Sequence, residues 1–348
     1  MRKPFPEEDL DLVVSHTAEV WSSLRGARLF ITGGTGFIGS WLLETVLRAN
    51  RIARADIEIV ALSRDPERAR SHAPHVFDAP GVRLVQGDVT YFEIDPEPID
   101  LCIHAATDVA DLTKAGNALR VFDTNVLGTR KVLEFSQANG ASRFLLTSSG
   151  AVYGRQPPEI ARMSETYPGA PDTLDANTAY SQGKRAAEWL VAAYSKHHGL
   201  NAAIARIYAL IGPGIPLDGP FAAGNFIRDA LAGRQIAILG DGRPLRSYLY
   251  MADACIWLLR ILASDARGRA FNVGSEREIS IVELARMVEQ CCGADVAPMP
   301  RLPSTATPAP RYIPDTTLAR ETLKLDEFTS LELALSKTVN WYRNAVTA

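Results

Sequence analysis

Leu29-Phe30-Ile31-Thr32-Gly33-Gly34-Thr35-Gly36-Phe37-Ile38-Gly39 is an apolar run that ends in glycines three apart, and a helical pattern follows it from Ser40 to Arg48. A buried strand turning sharply into a helix N-terminus leaves backbone N–H groups and the positive helix end facing outward. That arrangement holds a pyrophosphate. Each glycine has a steric role, in that Gly33 makes the turn, Gly36 lets phosphates approach, and Gly39 lets helix pack on sheet. Thr35, Phe37 and Ile38 complete the cofactor-binding bend. A glycine-rich turn with no ligand is the plain alternative; the strand before and the helix after favour binding.

Outward from this bend, Ile57–Leu62 reads as a second buried strand, ending at Ser63-Arg64-Asp65-Pro66. In dinucleotide folds the end of this strand meets the adenosine ribose. An acid there bonds the 2′-hydroxyl of NAD, whereas arginine accommodates the 2′-phosphate of NADP. Ser63 and Arg64 come first and favour NADP; the other reading makes Arg64 a solvated charge and lets Asp65 reach the ribose. A third strand, Val82–Gln86, leads to Asp88 and Val89, where the carboxylate can accept the adenine amino group or merely cap the next turn. The fourth, from Leu101, ends in Ala105, Ala106 and Thr107, small enough for a cofactor to lie against the backbone. His104 just before them reads as a satisfied core histidine. A helix from about Ala118 to Gln137 carries Asn125 on its apolar face, where a buried amide needs partners and can brace nearby backbone.

The fifth strand, Arg143–Ser149, is followed by Gly150-Ala151-Val152-Tyr153-Gly154 and a Pro-rich loop. Tyr180-Ser-Gln-Gly-Lys184 then opens a helix to about His197. Tyr180 and Lys184, four apart, share a helix face. An ammonium nearby, acting through a cofactor sugar hydroxyl, favours the phenolate, which can then serve as acid or base near neutral pH. Ser149 at a strand end supplies a hydrogen bond to the same reacting oxygen. Taken alone, a Tyr and a Lys at this spacing are common helix-surface decoration; the glycine bend and the serine run give them meaning.

The rest of the chain sets bounds. Its 348 residues allow one large domain or two coupled ones, and 47% hydrophobic with 22% charged residues is ordinary for a soluble globular protein. A net charge of −3 gives no reason to expect nucleic acid or an anionic membrane as partner. Four cysteines without CxxC spacing read as reduced thiols in a cytoplasmic protein, and no metal site is expected. The N-terminus lacks a signal-peptide core, and the most apolar later stretch, Tyr248–Ala263, is broken by Asp253 and Arg260. Residues 1–26 suggest short amphipathic helices packed on the body. Phe226–Ala232 reads as a short helix stopped by Gly233, Ile236–Leu239 as a strand, and Ser280-Ile-Val-Glu283 as a capping box. Residues 298–314 form a Pro-rich connector.

In this order the motifs resemble the extended short-chain dehydrogenase/reductase family of nucleotide-sugar epimerases, dehydratases and reductases, over roughly residues 27–340. The likeness adds Asn125–Thr129, Ile211-Gly-Pro213, Gly240-Asp-Gly242, Arg246–Tyr250, Phe271–Gly274 and Arg311–Asp315 to the motifs above. It implies an α/β fold, a Rossmann-type doubly wound parallel sheet with a smaller C-terminal α/β substrate lobe. The divisions are 1–26 as an extension, 27–205 as the NAD(P)-binding domain with 240–275 returning to it, and 206–239 with 276–348 as the lobe. By the resemblance Tyr180 is the acid/base, Lys184 holds the ribose, and Ser149 completes the triad. Tyr208 joins the cofactor-binding set, and Arg246 and Arg311 face the substrate diphosphate. Family members pair through the two long helices, here about 118–138 and 180–198, so a homodimer is expected.

Two departures narrow the chemistry. Dehydratases of the family carry an Asp-Glu pair just before Val-Tyr-Gly, and the related sugar-acid decarboxylases carry a glutamate there; this chain has Gly150-Ala151. Neither elimination nor that decarboxylation then has its acid/base partner. Ala209 stands where many members have a diphosphate-touching asparagine, and Asn225 is the candidate replacement. The expectation is an epimerase working at a sugar carbinol, C4 by analogy. An NADPH-dependent 4-ketosugar reductase is the alternative, a 4,6-dehydratase ranks behind both, and a non-catalytic NADP-binding scaffold would require a broken triad.

Overall fold

Strand β1 (Arg28–Thr32) alternates its side chains between two layers, Leu29 and Ile31 to one and Phe30 to the other. The strands beside it do the same. In β2 (Glu58–Ser63), Ile59 and Ala61 share the first layer, Val60 and Leu62 the second; in β4 (Leu101–His104), Leu101 and Ile103 oppose Cys102. A strand apolar on both faces needs helices on both faces, which is why these runs form a covered parallel sheet. The computed structural model, which describes residues 1–95, 97–107, 116–293 and 308–346, has seven such strands. The others in the main sheet are β3 (Val82–Gln86), β5 (Arg143–Ser149), β6 (Asn201–Ile207) and β10 (Ala270–Val273). Their order is β10-β6-β5-β4-β1-β2-β3, all parallel. The order reverses between β1 and β4, and ligands of such sheets bind beyond the strand C-termini at that switch.

Helices Ala118–Ala138 and Ala179–His198 cover the second layer, meeting where Gly183 lies against Phe122 and Asn125; a Cβ on Gly183 would come within 3.0 Å of the Asn125 Cβ. Their Leu119, Leu127 and Trp189 are exposed. The first layer is closed by helices Phe37–Ile52 and Met251–Ala263 and by the N-terminal helices Glu7–His16 and Ala18–Ser23. Phe5 stacks on Trp41 at 4.3 Å between ring centroids, and the Tyr250 hydroxyl donates to Asp9 at 2.6 Å. No helix among the described residues is long and apolar enough to cross a membrane.

Beyond β6, short strands build the rim over the sheet's C-terminal edge. β7 (Leu210–Ile211) pairs with β9 (Leu249–Tyr250), and β8 (Leu245–Arg246) lies between β11 (Ile279–Ser280) and β12 (Arg311–Tyr312). The capping box at Ser280 and Glu283 forms as its pattern predicts. The expected strand Ile236–Leu239 does not: Ile236 makes an isolated bridge and Leu239 is exposed, because the chain bends away at Gly240, whose φ is 82°. The helix near it is Ala222–Leu231, starting four residues before the expected Phe226. Of the Pro-rich connector, residues 298–307 lie outside the described residues.

Candidate active site

At the switch point the bend after β1 meets the end of β4. Gly33 has φ 71°, and a Cβ there would lie 2.5 Å from the Ala105 carbonyl carbon, so only glycine lets the two strand ends touch. A Cβ on Gly39 would collide with the Gly33 carbonyl, whereas one on Gly36 meets only that carbonyl oxygen, at 3.3 Å. The helix beginning at Phe37 has no side-chain cap and no acid in its first turn, and Thr35 and Gly36 are exposed. Uncapped N–H groups, a positive helix end and a glycine-lined approach suit a dinucleotide pyrophosphate. The Thr32 hydroxyl accepts from Ala106 N–H at 3.3 Å, and Thr107 Oγ1 donates to Asn125 Oδ1 at 3.4 Å. Asn125 also donates to Val121 O at 2.8 Å, so this buried amide ties the end of β4 to its helix.

At the ribose end, Ser63 is buried and Arg64 exposed. Asp65 spends a carboxylate oxygen on Arg68 N–H at 3.0 Å as the cap of helix Pro66–His72. Asp88 folds back to accept from both the N–H and the hydroxyl of Thr90, and Val89 packs on Gly128. His104 is enclosed between Thr32 Oγ1 at 2.7 Å and Thr129 Oγ1 at 3.1 Å. Burial, helped by the Lys184 ammonium, lowers its pKa to about 3, so it is a neutral core histidine.

Ser149 ends β5, and Tyr180 and Lys184 lie one helical turn apart beside it. Lys184 is 2% exposed, donates from Nζ to Thr147 O at 2.8 Å, and lies 5.8 Å from the Tyr180 ring centroid. Burial lowers its pKa to about 8, opposed by Glu188. The ionisation of the Tyr180 phenol is set here by the protein's own groups. Burial raises it above the usual range, and the hydrogen bond to Ser149 is what opposes the rise. The Lys184 ammonium lies near the ring and spends one of its three N–H groups on Thr147 O. The others are left for the cofactor ribose hydroxyl, through which the expected favouring of the phenolate runs.

Behind the triad runs a buried polar chain that sequence reasoning missed. Ser148 Oγ donates to Glu188 at 2.5 Å, Glu188 pairs with Arg206 at 2.7 Å, Arg206 donates to the Tyr153 hydroxyl at 2.8 Å, and that hydroxyl donates to Asn272 at 2.9 Å. Asn272 in turn donates to Met163 O and Asp315 O, at 2.8 and 2.9 Å, so the chain fixes the returning C-terminal segment against β5 and β6.

Tyr312 also went unmarked. Its hydroxyl lies 3.4 Å from Ser149 Oγ, and its ring stacks on Tyr208 with centroids 4.5 Å apart. Tyr208, expected at the cofactor, packs in this stack beneath Gly150. Arg246 pairs with Tyr312 across β8 and β12, its guanidinium 5.9 Å from that ring centroid. Arg311, one residue earlier on the strand, points to the other face and sits 3.6 Å from Glu278. The structure therefore brings Arg246 to the Ser149 side and not Arg311. Asn225 donates to Gly219 O at 2.9 Å and accepts from Arg228 at 3.3 Å, holding its own loop.

A family model, NAD dependent epimerase/dehydratase, matches residues 29–274. The chain belongs to the NAD-dependent epimerase/dehydratase family. One relative, UDP-glucuronic acid decarboxylase 1 of Arabidopsis thaliana, is 31% identical over 323 residues, covering 92% of this chain and 70% of that one. A dTDP-glucose 4,6-dehydratase of Streptomyces venezuelae, solved with NAD bound, has 25% identity and a TM-score of 0.78, covering 91% and 97%. The UDP-glucose 4-epimerase of Thermotoga maritima shares the fold at 22% identity and a TM-score of 0.77, covering 92% and 99%. Membership makes the chain an NAD-dependent enzyme of nucleotide-sugar chemistry. The glycine bend and uncapped helix fit that cofactor.

Proposed function

We propose that this enzyme oxidises C4 of a UDP-linked hexuronic acid and releases carbon dioxide, leaving a UDP-pentose. The supporting observation is the 31% identity to UDP-glucuronic acid decarboxylases over 92% of the chain, with Tyr180, Lys184 and Ser149 gathered at the end of β5. The nicotinamide, when bound, supplies the hydride acceptor and donor. Tyr180 Oη takes the carbinol proton, and the Ser149 hydroxyl donates to the same oxygen. Once that oxygen is a ketone, a carboxylate on the neighbouring carbon stands β to it. The carbon–carbon bond can then break with its electron pair moving into the ketone, where Tyr180 and Ser149 hold the developing oxyanion. Carbon dioxide leaves without an acid. The enolate left behind takes a proton at C5 from solvent. On regaining its hydride, the C4 ketone takes back the proton held on Tyr180 Oη, which restores the carbinol of a UDP-pentose. Loss of water does need an acid, and Gly150-Ala151 offers none. The relatives and this chemistry put decarboxylation ahead of the epimerisation expected from Gly150-Ala151 alone. Arg246, half-buried beside Tyr312, is a cation available to an anionic substrate.

Epimerisation is the second reading, favoured by the missing carboxylates: the same oxidation, with hydride returned to the other face. A 4-ketosugar reductase follows if reduced cofactor is consumed. Incubation with UDP-glucuronic acid and oxidised cofactor, followed by mass spectrometry, separates the three. A UDP-pentose with carbon dioxide supports the first, a C4 epimer the second, and inertness except toward ketosugars with NADPH loss the third.

For the cofactor, we infer a preference for NADP over NAD from Ser63 and the exposed Arg64 at the end of β2, with Asp65 engaged as a helix cap. Arg64→Ala should weaken NADP binding about tenfold or more, the scale of one charged hydrogen bond, and leave NAD nearly unchanged. Calorimetric titration with each dinucleotide checks it; equal loss for both would remove the inference.

A further inference from the structure

Ser149 has one proton to give and two lone pairs to fill. Ala151 N–H fills one lone pair, at 3.1 Å. The Tyr312 hydroxyl, 3.4 Å away, is placed for the other. We infer that Tyr312 is a positioning residue: by donating to Ser149 Oγ it leaves that serine's single proton for the Tyr180 phenol before substrate binds and for the reacting oxygen once it has. The inference rests on Tyr180 and Ser149 being the proton-handling pair of the proposed reaction.

Three features of the fold support it. A Cβ on Gly150 would lie 2.8 Å from the Tyr312 hydroxyl and 2.6 Å from Tyr208 Cζ, so the two phenols occupy the volume a side chain at 150 would enter. The absence of a side chain at Gly150 is thus what admits Tyr312. The backbone around Tyr312 is pinned on both sides. It pairs with Arg246 in β8; Ile313 N–H donates to Gln156 at 2.9 Å; Pro314 bridges Met163; Asn272 holds Asp315 O. A hydroxyl carried on so fixed a strand is preorganised. Finally, burial pushes the Tyr312 phenol far up, so it stays a donor at working pH. The separation is long for two hydroxyls, as catalytic hydrogen bonds often are before substrate tightens them.

The test is Tyr312→Phe, which keeps the stacked ring and removes the hydroxyl. Tyr180's phenolate is titrated in the holoenzyme by ultraviolet absorbance, as the difference between each protein and its Tyr180→Phe counterpart. This needs no turnover, so it decides the inference even if the proposed substrate is wrong. The midpoint is expected to move to higher pH in Tyr312→Phe, because Ser149 then donates less steadily to the phenolate. In turnover, kcat should fall about tenfold, the scale of one hydrogen bond, with KM nearly unchanged. In a Ser149→Ala background the same change should cost almost nothing. An unmoved midpoint, or a loss equally large in the Ser149→Ala background, overturns the inference.

Discussion

Tyr180→Phe is expected to leave a folded protein that binds dinucleotide as before and turns over about 10²–10⁴ times more slowly, the range for removing a positioned general acid–base group. The substitution takes away one oxygen. The ring remains on its helix over Lys184 and beside Ser149, so packing is kept. What is lost is the atom that carries the carbinol proton. Thermal melting and dinucleotide titration alongside steady-state assays separate this from unfolding. Retained turnover would mean that another group moves the proton. Tyr312 is a poor substitute, since burial drives its phenol far from ionising.

Lys184→Met should be nearly as damaging to turnover, about 10²-fold or more, while the fold gains or holds its stability at neutral pH. The ammonium is buried, and its pKa of about 8 lies below the ordinary 10.5. The folded state therefore binds this proton less tightly than the unfolded chain. Burial's penalty is fully present below about pH 8 and is relieved between there and 10.5, where the unfolded state binds more protons. The depression corresponds to about 3 kcal/mol, against which the lost hydrogen bond to Thr147 O must be set. Denaturant midpoints should accordingly climb from pH 7 toward 10 in the wild type relative to Lys184→Met. A parallel pair of pH profiles would contradict the buried, proton-poor lysine.

These two residues were legible because their signals are local. Four-residue spacing puts Tyr180 and Lys184 on one helix face, and the apolar run ahead of Gly33 announces a strand, a turn and a helix whatever surrounds them. β3 and β5 end where their hydrophobic runs end, at Gln86 and Ser149. Tyr312 was hidden for the opposite reason. It lies 163 positions from Ser149 and reaches it through a two-residue strand that has no periodicity to detect. Which arginine turns inward, Arg246 or Arg311, depends on the register of β12 against β8, which no property of either residue encodes. The upward pull of burial on the Tyr180 phenol is not readable from spacing, which reports neighbours along a helix and says nothing of how thoroughly they are buried. Leu239 misled because an apolar run makes a strand only if a partner strand is there to meet it.

The fate of the hydrogen on the sugar's C4 is the most direct measure of the proposed chemistry. UDP-glucuronic acid carrying deuterium at C4 should be consumed measurably more slowly than the unlabelled sugar by the wild type with bound dinucleotide. Tyr180→Phe should consume the unlabelled sugar about 10²–10⁴ times more slowly than the wild type does. Equal rates for the two isotopic forms, together with undiminished turnover in Tyr180→Phe, would contradict it.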